Sequence, residues 1–213
     1  MEYSVIIVAA GSGTRMKLGY NKVYAKLKDG RSILETTISV FLNDSDCSQI
    51  IVVTDPEEFR SEMSEDLNEK VEVTAGGNTR QESVSRGLSL VKNPYVMIHD
   101  GARPFITEDL LNGLKNSMKE EKAALLMVPV KDTIKKVKDG YVTETPVRSE
   151  LMAAQTPQMF ETDLIVSCMK QAMKDGYTGT DDASLVEKYG DVRVKAVEGS
   201  YANRKITTPE DLR

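Results

Sequence analysis

The chain has 213 residues, 40% of them hydrophobic and 29% charged, with a formal net charge of −5. This length predicts one large domain, residues 1–213, and the composition excludes disordered and membrane-embedded proteins. Because the balance is acidic, we expect no nucleic-acid partner, and basic residues must be concentrated locally if the protein binds a polyphosphate.

The N-terminal segment lacks the basic stretch and the length of a signal peptide, and no apolar run approaches the length of a membrane span. We therefore expect a cytoplasmic protein with no membrane partner. Cys47 and Cys168 have no cysteine or histidine close to them in sequence. This spacing predicts two reduced thiols, and neither a disulfide framework nor a zinc site.

Predicted strands and helices alternate through the first part of the chain. Apolar runs predict strands over residues 5–9, 50–54, 71–73, 95–98 and 123–130. Capping patterns and apolar residues at helical spacing predict helices over residues 32–42, 56–66, from 79 onward and 107–120. The alternation favours an α/β fold whose mostly parallel central sheet is covered by helices on both faces.

The alternation stops after residue 130. Residues 133–145 carry apolar side chains around Asp139-Gly140, a dipeptide that favours a β-hairpin. This polar hairpin is either an arm that packs on a second subunit or a simple surface flap. Helices over 162–174 and 180–188 and a strand over 193–197 are predicted next. A last helix begins near Thr207, and we expect it to extend beyond Arg213 in the intact protein.

A glycine turn follows the first predicted strand directly. Met16 stands where a dinucleotide fingerprint has its third glycine and where a P-loop has its Gly-Lys pair, so both of these motifs are disfavoured. What remains is a loop in which Gly11 and Gly13 let backbone N–H groups approach phosphate oxygens, with Arg15 and Lys22 as nearby cations. The alternative is a tight turn that carries two surface cations.

Three predicted strands end in residues suited to a phosphate ligand. The ends are Gly11, Gly76-Gly77 and Asp100, and in an open parallel sheet they should lie along one edge. Asp100 is a suitable Mg²⁺ ligand there, because Mg²⁺ commonly takes one or two carboxylates together with substrate phosphates. We interpret His99, the one histidine of the chain, as structural, because no serine or cysteine partner for catalysis is evident.

Five motifs occur in order along the chain. They are Ala9-Ala10-Gly11-x-Gly13-x-Arg15-Met16 followed by Lys22, His99-Asp100-Gly101-Ala102-Arg103-Pro104, Gln155-Thr156-Pro157-Gln158, Thr180-Asp181-Asp182-Ala183-Ser184 and Lys205-Ile206-Thr207-Thr208-Pro209-Glu210-Asp211-Leu212. This series resembles the 2-C-methyl-D-erythritol 4-phosphate cytidylyltransferase family. Asn21 and Met152 stand where that family more often has proline and tryptophan, and neither change removes a functional group.

The resemblance implies a Rossmann-like nucleotidyltransferase fold with a projecting β-hairpin arm, residues 131–148, that exchanges in a homodimer. It implies an Mg²⁺-dependent transfer of the cytidylyl group from CTP to the alcohol phosphate, in the non-mevalonate route to isoprenoids. Relatives that act on ribitol 5-phosphate share most of the pattern, and Ala102 favours methylerythritol phosphate over that alternative. A non-catalytic nucleotide-binding module is the second alternative.

The resemblance also implies a role for individual residues. The CTP site would be lined by Ala9, Ala10, Gly11, Gly13, Gly76, Gly77, Ser83, Asp100 and Gly101. The alcohol phosphate would be bound by Asp100, Arg103, Thr156, Thr180 and Lys205, with Thr133 and Arg148 reaching it from the arm of the second subunit. The catalytic residues would be Arg15, Lys22, Arg148 and Lys205. Asp100 would hold Mg²⁺.

Overall fold

The computed structural model describes residues 1–11, 21–63 and 68–212. The strands in these residues are β1 (Tyr3–Val8), β2 (Cys47–Val53), β3 (Val71–Thr74), β4 (Tyr95–Asp100), β5 (Ala123–Pro129), β6 (Lys136–Lys138), β7 (Tyr141–Glu144), β8 (Met152–Glu161) and β9 (Lys195–Glu198). The α-helices are α1 (Ile33–Asn43), α2 (Pro56–Glu62), α3 (Arg80–Leu88), α4 (Glu108–Ser117), α5 (Thr162–Lys174) and α6 (Ala183–Tyr189). Short 3-10 turns occupy Lys22–Tyr24, Arg148–Glu150 and Pro209–Leu212.

A seven-stranded sheet, in the order β3-β2-β1-β4-β8-β5-β9, forms the centre of the fold. Every pairing is parallel except those of β8, which runs antiparallel to β4 and β5. Neighbouring residues of β1 belong to opposite cores, with Val5 and Ile7 packed beneath α1 and α4 and Ile6 packed beneath α3, α5 and α6. The predicted α/β class, with helices on both faces of a mostly parallel sheet, is confirmed.

Strand β8 has no counterpart among the predicted elements. Its sequence contains Pro157 and buried glutamines, and proline normally argues against a central strand. The pairing of β8 with β5 shifts register after Leu125, and Pro157 lies in that irregular stretch, where the ladder does not require its N–H. Gln158 is 1% exposed, and its amide is satisfied by Asp181 Oδ2 and by the N–H of Ala183, both at 2.8 Å.

The two predicted helix caps differ in detail. Ser32 and Glu35 exchange both hydrogen bonds of a capping box at the start of α1, as predicted. At the start of α3, Thr79 Oγ1 accepts from the N–H of Glu82 at 3.1 Å. The carboxylate of Glu82 binds the N–H of Asn78 at 2.8 Å and not that of the cap residue, so this second box is only half formed.

Some helix limits also differ from prediction. Helix α2 ends at Glu62, because Met63 adopts an extended conformation, whereas the sequence pattern predicted a helix to residue 66. At Pro209–Leu212 the structure has a 3-10 turn where an α-helix was predicted. None of the helices in the described part of the chain is both long and apolar enough to cross a bilayer.

Strands β6 and β7 form a separate two-stranded sheet that projects from the domain. The turn between them is Asp139-Gly140, and both residues have positive φ angles, 52° and 84°. Such angles suit the two-residue hairpin turn that the dipeptide predicted. Residues 131–145 are all exposed, so the hairpin contributes almost nothing to the hydrophobic core.

A buried ion cluster lies at the start of β2, whereas the motifs of the candidate site lie at the carboxyl ends of the strands. Lys115 of α4 is 8% exposed, and its Nζ atom donates to Asp44 at 2.9 Å and to Asp46 at 2.8 Å. The hydroxyl of Tyr3 donates to the same Asp44 carboxylate at 2.9 Å. The cluster joins α4, the α1–β2 connection and β1. Within it, the buried Lys115 ammonium group is paired with carboxylates of opposite charge.

We expect Lys115→Met to lower the free energy of unfolding by about 3 kcal/mol, because it leaves the buried Asp44 carboxylate without its cation. Urea unfolding, followed by circular dichroism, measures this loss. Lys119→Met is the matched control, since Lys119 is exposed just after the end of the same helix and, within the described residues, its ammonium group hydrogen-bonds only to Asn116. Equal stability of the two variants would contradict the assignment of the cluster to fold stability.

Candidate active site

A cavity of about 460 Å³ opens where β1 and β4 end and where the loop after β3 begins. Its wall consists of Val8, Ala9, Ala10, Gly11, Asn21, Lys22, Val23, Gly77, Asn78, Thr79, Arg80, Ser83, Asp100, Ala102 and Lys205. The three strand ends that sequence analysis placed along one edge, at Gly11, Gly77 and Asp100, do meet here. This is the position at which open α/β sheets bind their ligands.

The loop after β3 approaches the end of β1 so closely that side chains are excluded. A Cβ atom on Gly76 would overlap the Cβ atom of Ala10, so only glycine fits at this position. The N–H of Gly77 donates to Ser83 Oγ at 3.0 Å, and that hydroxyl donates to the carbonyl oxygen of Thr79 at 2.9 Å. The loop is therefore fixed against the first turn of α3, and its backbone forms one wall of the cavity.

Lys22 also lines the cavity. Asn21, which precedes it, is 8% exposed and donates from Nδ2 to the carbonyl oxygen of Ala9 at 2.6 Å. The same asparagine caps the 3-10 turn that begins at Lys22, so the lysine backbone is tied to the end of β1. Lys22 Nζ donates to the carbonyl oxygen of Ile206 at 2.7 Å.

Asp100 lies at the centre of the charged groups. It is 8% exposed, and its Oδ2 atom accepts from Lys205 Nζ at 2.8 Å. The Nε atoms of Arg80 and Arg103 lie 3.5 Å from its Oδ1 and Oδ2, respectively. Burial alone would raise the pKa of Asp100, but Lys205, Arg80 and Arg103 outweigh it and lower that pKa well below its ordinary value. The carboxylate is therefore ionised at neutral pH.

Sequence analysis missed Arg80 as a site residue and treated it only as part of the α3 capping pattern. Its guanidinium lies between two carboxylates, with Nη2 at 2.7 Å from Asp182 Oδ2 and Nε near Asp100. Asp182 is 2% exposed, and burial raises its pKa although Arg80 acts in the opposite direction. The available signal was the position of Arg80, in the first helical turn directly after the Gly76-Gly77 strand end.

His99 is completely buried, and both of its ring nitrogens are hydrogen-bonded within the protein. Because a carbonyl oxygen only accepts, Nε2 must carry the proton that is shared with the carbonyl of Arg103 at 3.1 Å. Nδ1 then accepts from the Thr156 hydroxyl at 3.1 Å, and that hydroxyl accepts from the N–H of Asp100 at 3.0 Å. Burial lowers the pKa of His99 to about 4, so it is neutral at pH 7. These contacts support the structural interpretation of His99.

The segment 203–206 carries Lys205 into the cavity and is fixed on both sides of it. Asn203 is 0% exposed and donates from Nδ2 to the carbonyl oxygen of Thr156 at 2.9 Å. Ile206 is also 0% exposed, and its N–H donates to the carbonyl oxygen of Ala102 at 2.8 Å. The lysine therefore sits between two buried anchors.

The structure brings together some of the predicted site residues and separates others. Those that line the cavity are Ala9, Ala10, Gly11, Lys22, Gly77, Ser83, Asp100 and Lys205. Four others lie directly next to these, namely Gly76, Gly101, Arg103 and Thr156. Thr180 is exposed beside a second cavity of about 70 Å³, and Thr133 and Arg148 lie on the exposed arm. Gly13 and Arg15 fall outside the described residues, so their predicted roles stay predictions.

The donor set at Asp100 fits a metal that is shared with a substrate. Within the described residues no group of three or more histidine, cysteine, aspartate or glutamate side chains could hold a metal ion. A single carboxylate in the wall of a cavity that is lined by glycines and cations instead suits Mg²⁺ bound together with phosphate oxygens.

We expect acid to destabilise the fold through His99. Its pKa in the folded protein is about 4 and its ordinary value is 6.5, so the unfolded chain binds the proton more readily between these values. Stability from this group is complete above pH 6.5 and is lost as the pH falls through 4. Urea unfolding between pH 7 and pH 4 should show a loss in the wild type about 3 kcal/mol larger than in His99→Gln. Equal losses would contradict a buried neutral histidine.

Comparisons with known proteins agree with this geometry. The family model described as 2-C-methyl-D-erythritol 4-phosphate cytidylyltransferase matches residues 3–213. Relatives of that name from Bacillus velezensis and Clostridioides difficile are 45% and 49% identical, over 100% and 99% of this chain and 93% and 90% of their own lengths.

The crystal structure of the Francisella tularensis cytidylyltransferase of the same name has a TM-score of 0.86 at 31% identity and covers 100% of this chain and 97% of its own. The 4-diphosphocytidyl-2C-methyl-D-erythritol synthase of Anaerococcus prevotii has a TM-score of 0.85 at 34% identity, with coverages of 99% and 94%. The chain therefore belongs to the 2-C-methyl-D-erythritol 4-phosphate cytidylyltransferase family.

Proposed function

We propose that this protein transfers the cytidylyl group of CTP to 2-C-methyl-D-erythritol 4-phosphate. The products are 4-diphosphocytidyl-2-C-methyl-D-erythritol, an intermediate of the non-mevalonate route to isoprenoids, and pyrophosphate. The observation that carries the proposal is the family match over residues 3–213, on a chain whose strand ends form a glycine-walled cavity with focused cations. We also propose a cytoplasmic location, which rests on the sequence alone.

The reaction is an in-line displacement at the α-phosphorus of CTP. A phosphate oxygen of the alcohol phosphate forms the new P–O bond, and the bond from the α-phosphorus to the bridging oxygen breaks as pyrophosphate leaves. A phosphate monoester is already an anionic nucleophile, so the reaction needs no general base. This agrees with a site whose one histidine is buried and fully hydrogen-bonded. Catalysis then consists of positioning and of stabilising charge in the transition state.

The nucleotide would lie against the glycine wall of the cavity. Backbone N–H groups near Gly11 and Gly77 can approach phosphate oxygens, since neither residue has a side chain to prevent it. Lys22 and Arg15 would neutralise the charge that develops on the triphosphate. Lys22 would exchange its contact with the Ile206 carbonyl for one with phosphate, a stronger acceptor.

We propose that Mg²⁺ takes part and that Asp100 is its protein ligand, with phosphate oxygens as further ligands. When bound, Mg²⁺ would neutralise part of the triphosphate charge and so favour departure of pyrophosphate. Asp100 also holds Lys205 at 2.8 Å, and that lysine would orient the phosphate of the alcohol substrate. Arg103, Thr156 and Thr180 would complete the alcohol-phosphate site.

We propose that the protein acts as a homodimer in which the arm, residues 131–148, reaches the site of the partner. The arm leaves large apolar side chains in solvent, with Val137 61%, Tyr141 78% and Val142 61% exposed. Val137 and Val142 are cross-strand partners in this hairpin, and neighbouring exposed apolar side chains of this kind favour an interaction site. Thr133 and Arg148 would then contact the alcohol phosphate bound to the second subunit.

Ribitol 5-phosphate is the alternative alcohol substrate. Ala102 lines the cavity beside Asp100 and is 4% exposed, and a larger residue there would narrow the space next to the reacting groups. The small residue therefore favours the branched methylerythritol substrate. A non-catalytic module would not need both Lys22 and Lys205 in one cavity, so we place that alternative last.

A paired-substrate assay tests the function. With CTP and Mg²⁺, we expect faster pyrophosphate release with 2-C-methyl-D-erythritol 4-phosphate than with ribitol 5-phosphate. Lys22→Ala should lower kcat about 100-fold, because the lost cation acts mainly in the transition state. Lys28→Ala, at an exposed lysine nearby, is the matched control and should be unchanged. Faster turnover of ribitol 5-phosphate would assign the other substrate, and CTP binding without turnover would indicate a non-catalytic module.

Mixing inactive variants tests the shared site. A mixture of Arg148→Ala and Lys22→Ala subunits should regain about a quarter of wild-type activity, since about half of the dimers are heterodimers and each of these contains one intact site of two. Lys22→Ala mixed with Lys205→Ala is the matched control, because both lysines line the cavity of one subunit and no intact site can form. Absence of recovery in the first mixture would rule out a site completed by the arm of the partner.

A further inference from the structure

The connection between α5 and α6 is held by two glutamine side chains, and neither belongs to the wall of the large cavity. We call residues 175–182 the α5–α6 loop. Gln81 of α3 donates from Nε2 to the carbonyl oxygen of Tyr177 and accepts from the N–H of Gly179, both at 2.9 Å. Gln158 of β8 donates to Asp181 Oδ2 and accepts from the N–H of Ala183, both at 2.8 Å.

We call each of these glutamine side chains, with its two hydrogen bonds, a clamp. The two clamps use the same chemistry. A primary amide presents a donor and an acceptor side by side, so it can bind an oxygen acceptor and an N–H group of residues that lie two positions apart. The oxygen is the backbone carbonyl of Tyr177 for Gln81 and the side-chain carboxylate of Asp181 for Gln158. Gln81 fixes the loop before residue 180, and Gln158 fixes it after that residue. Thr180 is therefore held at the centre of a doubly anchored segment, although its own side chain is exposed.

Close packing makes the position of the loop specific. A Cβ atom on Gly179 would lie 2.5 Å from Ser184 Oγ and 2.9 Å from the carbonyl oxygen of Asp181, so the chain passes too close for a side chain. The loop also forms a wall of the second cavity, which shares Thr79 and Arg80 with the large one. A displacement of the loop would therefore alter the surface directly beside the nucleotide cavity.

We propose that Gln81 is a positioning residue that places Thr180 for recognition of the alcohol phosphate. The inference rests on the proposed function, which assigns the neighbouring cavity to CTP and Thr180 to the second substrate. Gln81 has no atom in the wall of the large cavity and touches the loop backbone on either side of Thr178. Loss of the Gln81 side chain should therefore weaken binding of the alcohol phosphate and leave binding of CTP unchanged.

The experiment compares Gln81→Ala and Gln81→Glu with the wild-type enzyme. We expect the KM for the alcohol phosphate to rise about tenfold, the size that loss of one or two hydrogen bonds produces, with the KM for CTP unchanged. Gln81→Glu keeps the acceptor for Gly179 but sets a carboxylate oxygen against the Tyr177 carbonyl, so it should show the same selective rise. Gln171→Ala is the matched control, because Gln171 is an exposed glutamine on α5 whose side-chain hydrogen bond in the described residues goes to Asp175, at the start of the loop and before the segment that Gln81 holds.

Amide hydrogen exchange provides a second measurement that does not depend on turnover. The amides of residues 177–183 should exchange faster in Gln81→Ala than in the wild type and in Gln171→Ala. Unchanged exchange would overturn the clamp, and faster exchange with equal rises in both KM values would overturn the selective role. A wild-type enzyme that binds CTP but does not use the alcohol phosphate would instead reject the proposed function, and the positioning role with it.

Discussion

The ionised carboxylate of Asp100 is the group on which the site depends. A buried anion must be paired, and this one is paired with cations from three separate segments: Arg80 from α3, Arg103 from the connection after β4, and Lys205 from the C-terminal segment. The backbone N–H of Asp100 is fixed in turn by Thr156 of β8. A chain of net charge −5 thereby gathers positive charge at one edge of its sheet, where a polyphosphate can be attracted without a basic surface elsewhere.

Much of the fold could be predicted because the central strands β1, β2, β4 and β5 are buried on both faces. Such strands read as continuous apolar runs, as in Ile50–Val53, and the helices between them carry clear caps, as at Ser32. Strand β8 could not be found in this way, because Gln158 and Pro157 break the apolar pattern. Gln158 is tolerated in the middle of the sheet because both polar atoms of its amide have hydrogen-bond partners. Pro157 is tolerated because the pairing of β8 with β5 shifts register there. Neither condition can be read from a single sequence.

Residues of the candidate site could be predicted where the sequence around them carries a signal, and not where their role depends on a distant part of the chain. Strand-end residues such as Gly11, Gly77 and Asp100 meet because parallel strands end at one edge, a rule that needs no coordinates. Lys205 required the family resemblance, since nothing in its spacing says that the chain returns to β4. Arg80 and Gln81 were missed because the pattern around them is also a helix cap, and their second role depends on a loop about 100 residues further on.

The neutrality of His99 bears on what can titrate in this site near physiological pH. The chain has a single histidine, and its burial moves that group out of the range between pH 6 and 8. Asp100 titrates far below this range, and burial raises the pKa of the Cys47 and Cys168 thiols away from it. A phosphate monoester, by contrast, loses its second proton near pH 6. Ionisation of the nucleophile would therefore raise the rate between pH 5 and 7, a contribution to the pH dependence that comes from the substrate and not from His99 or Asp100.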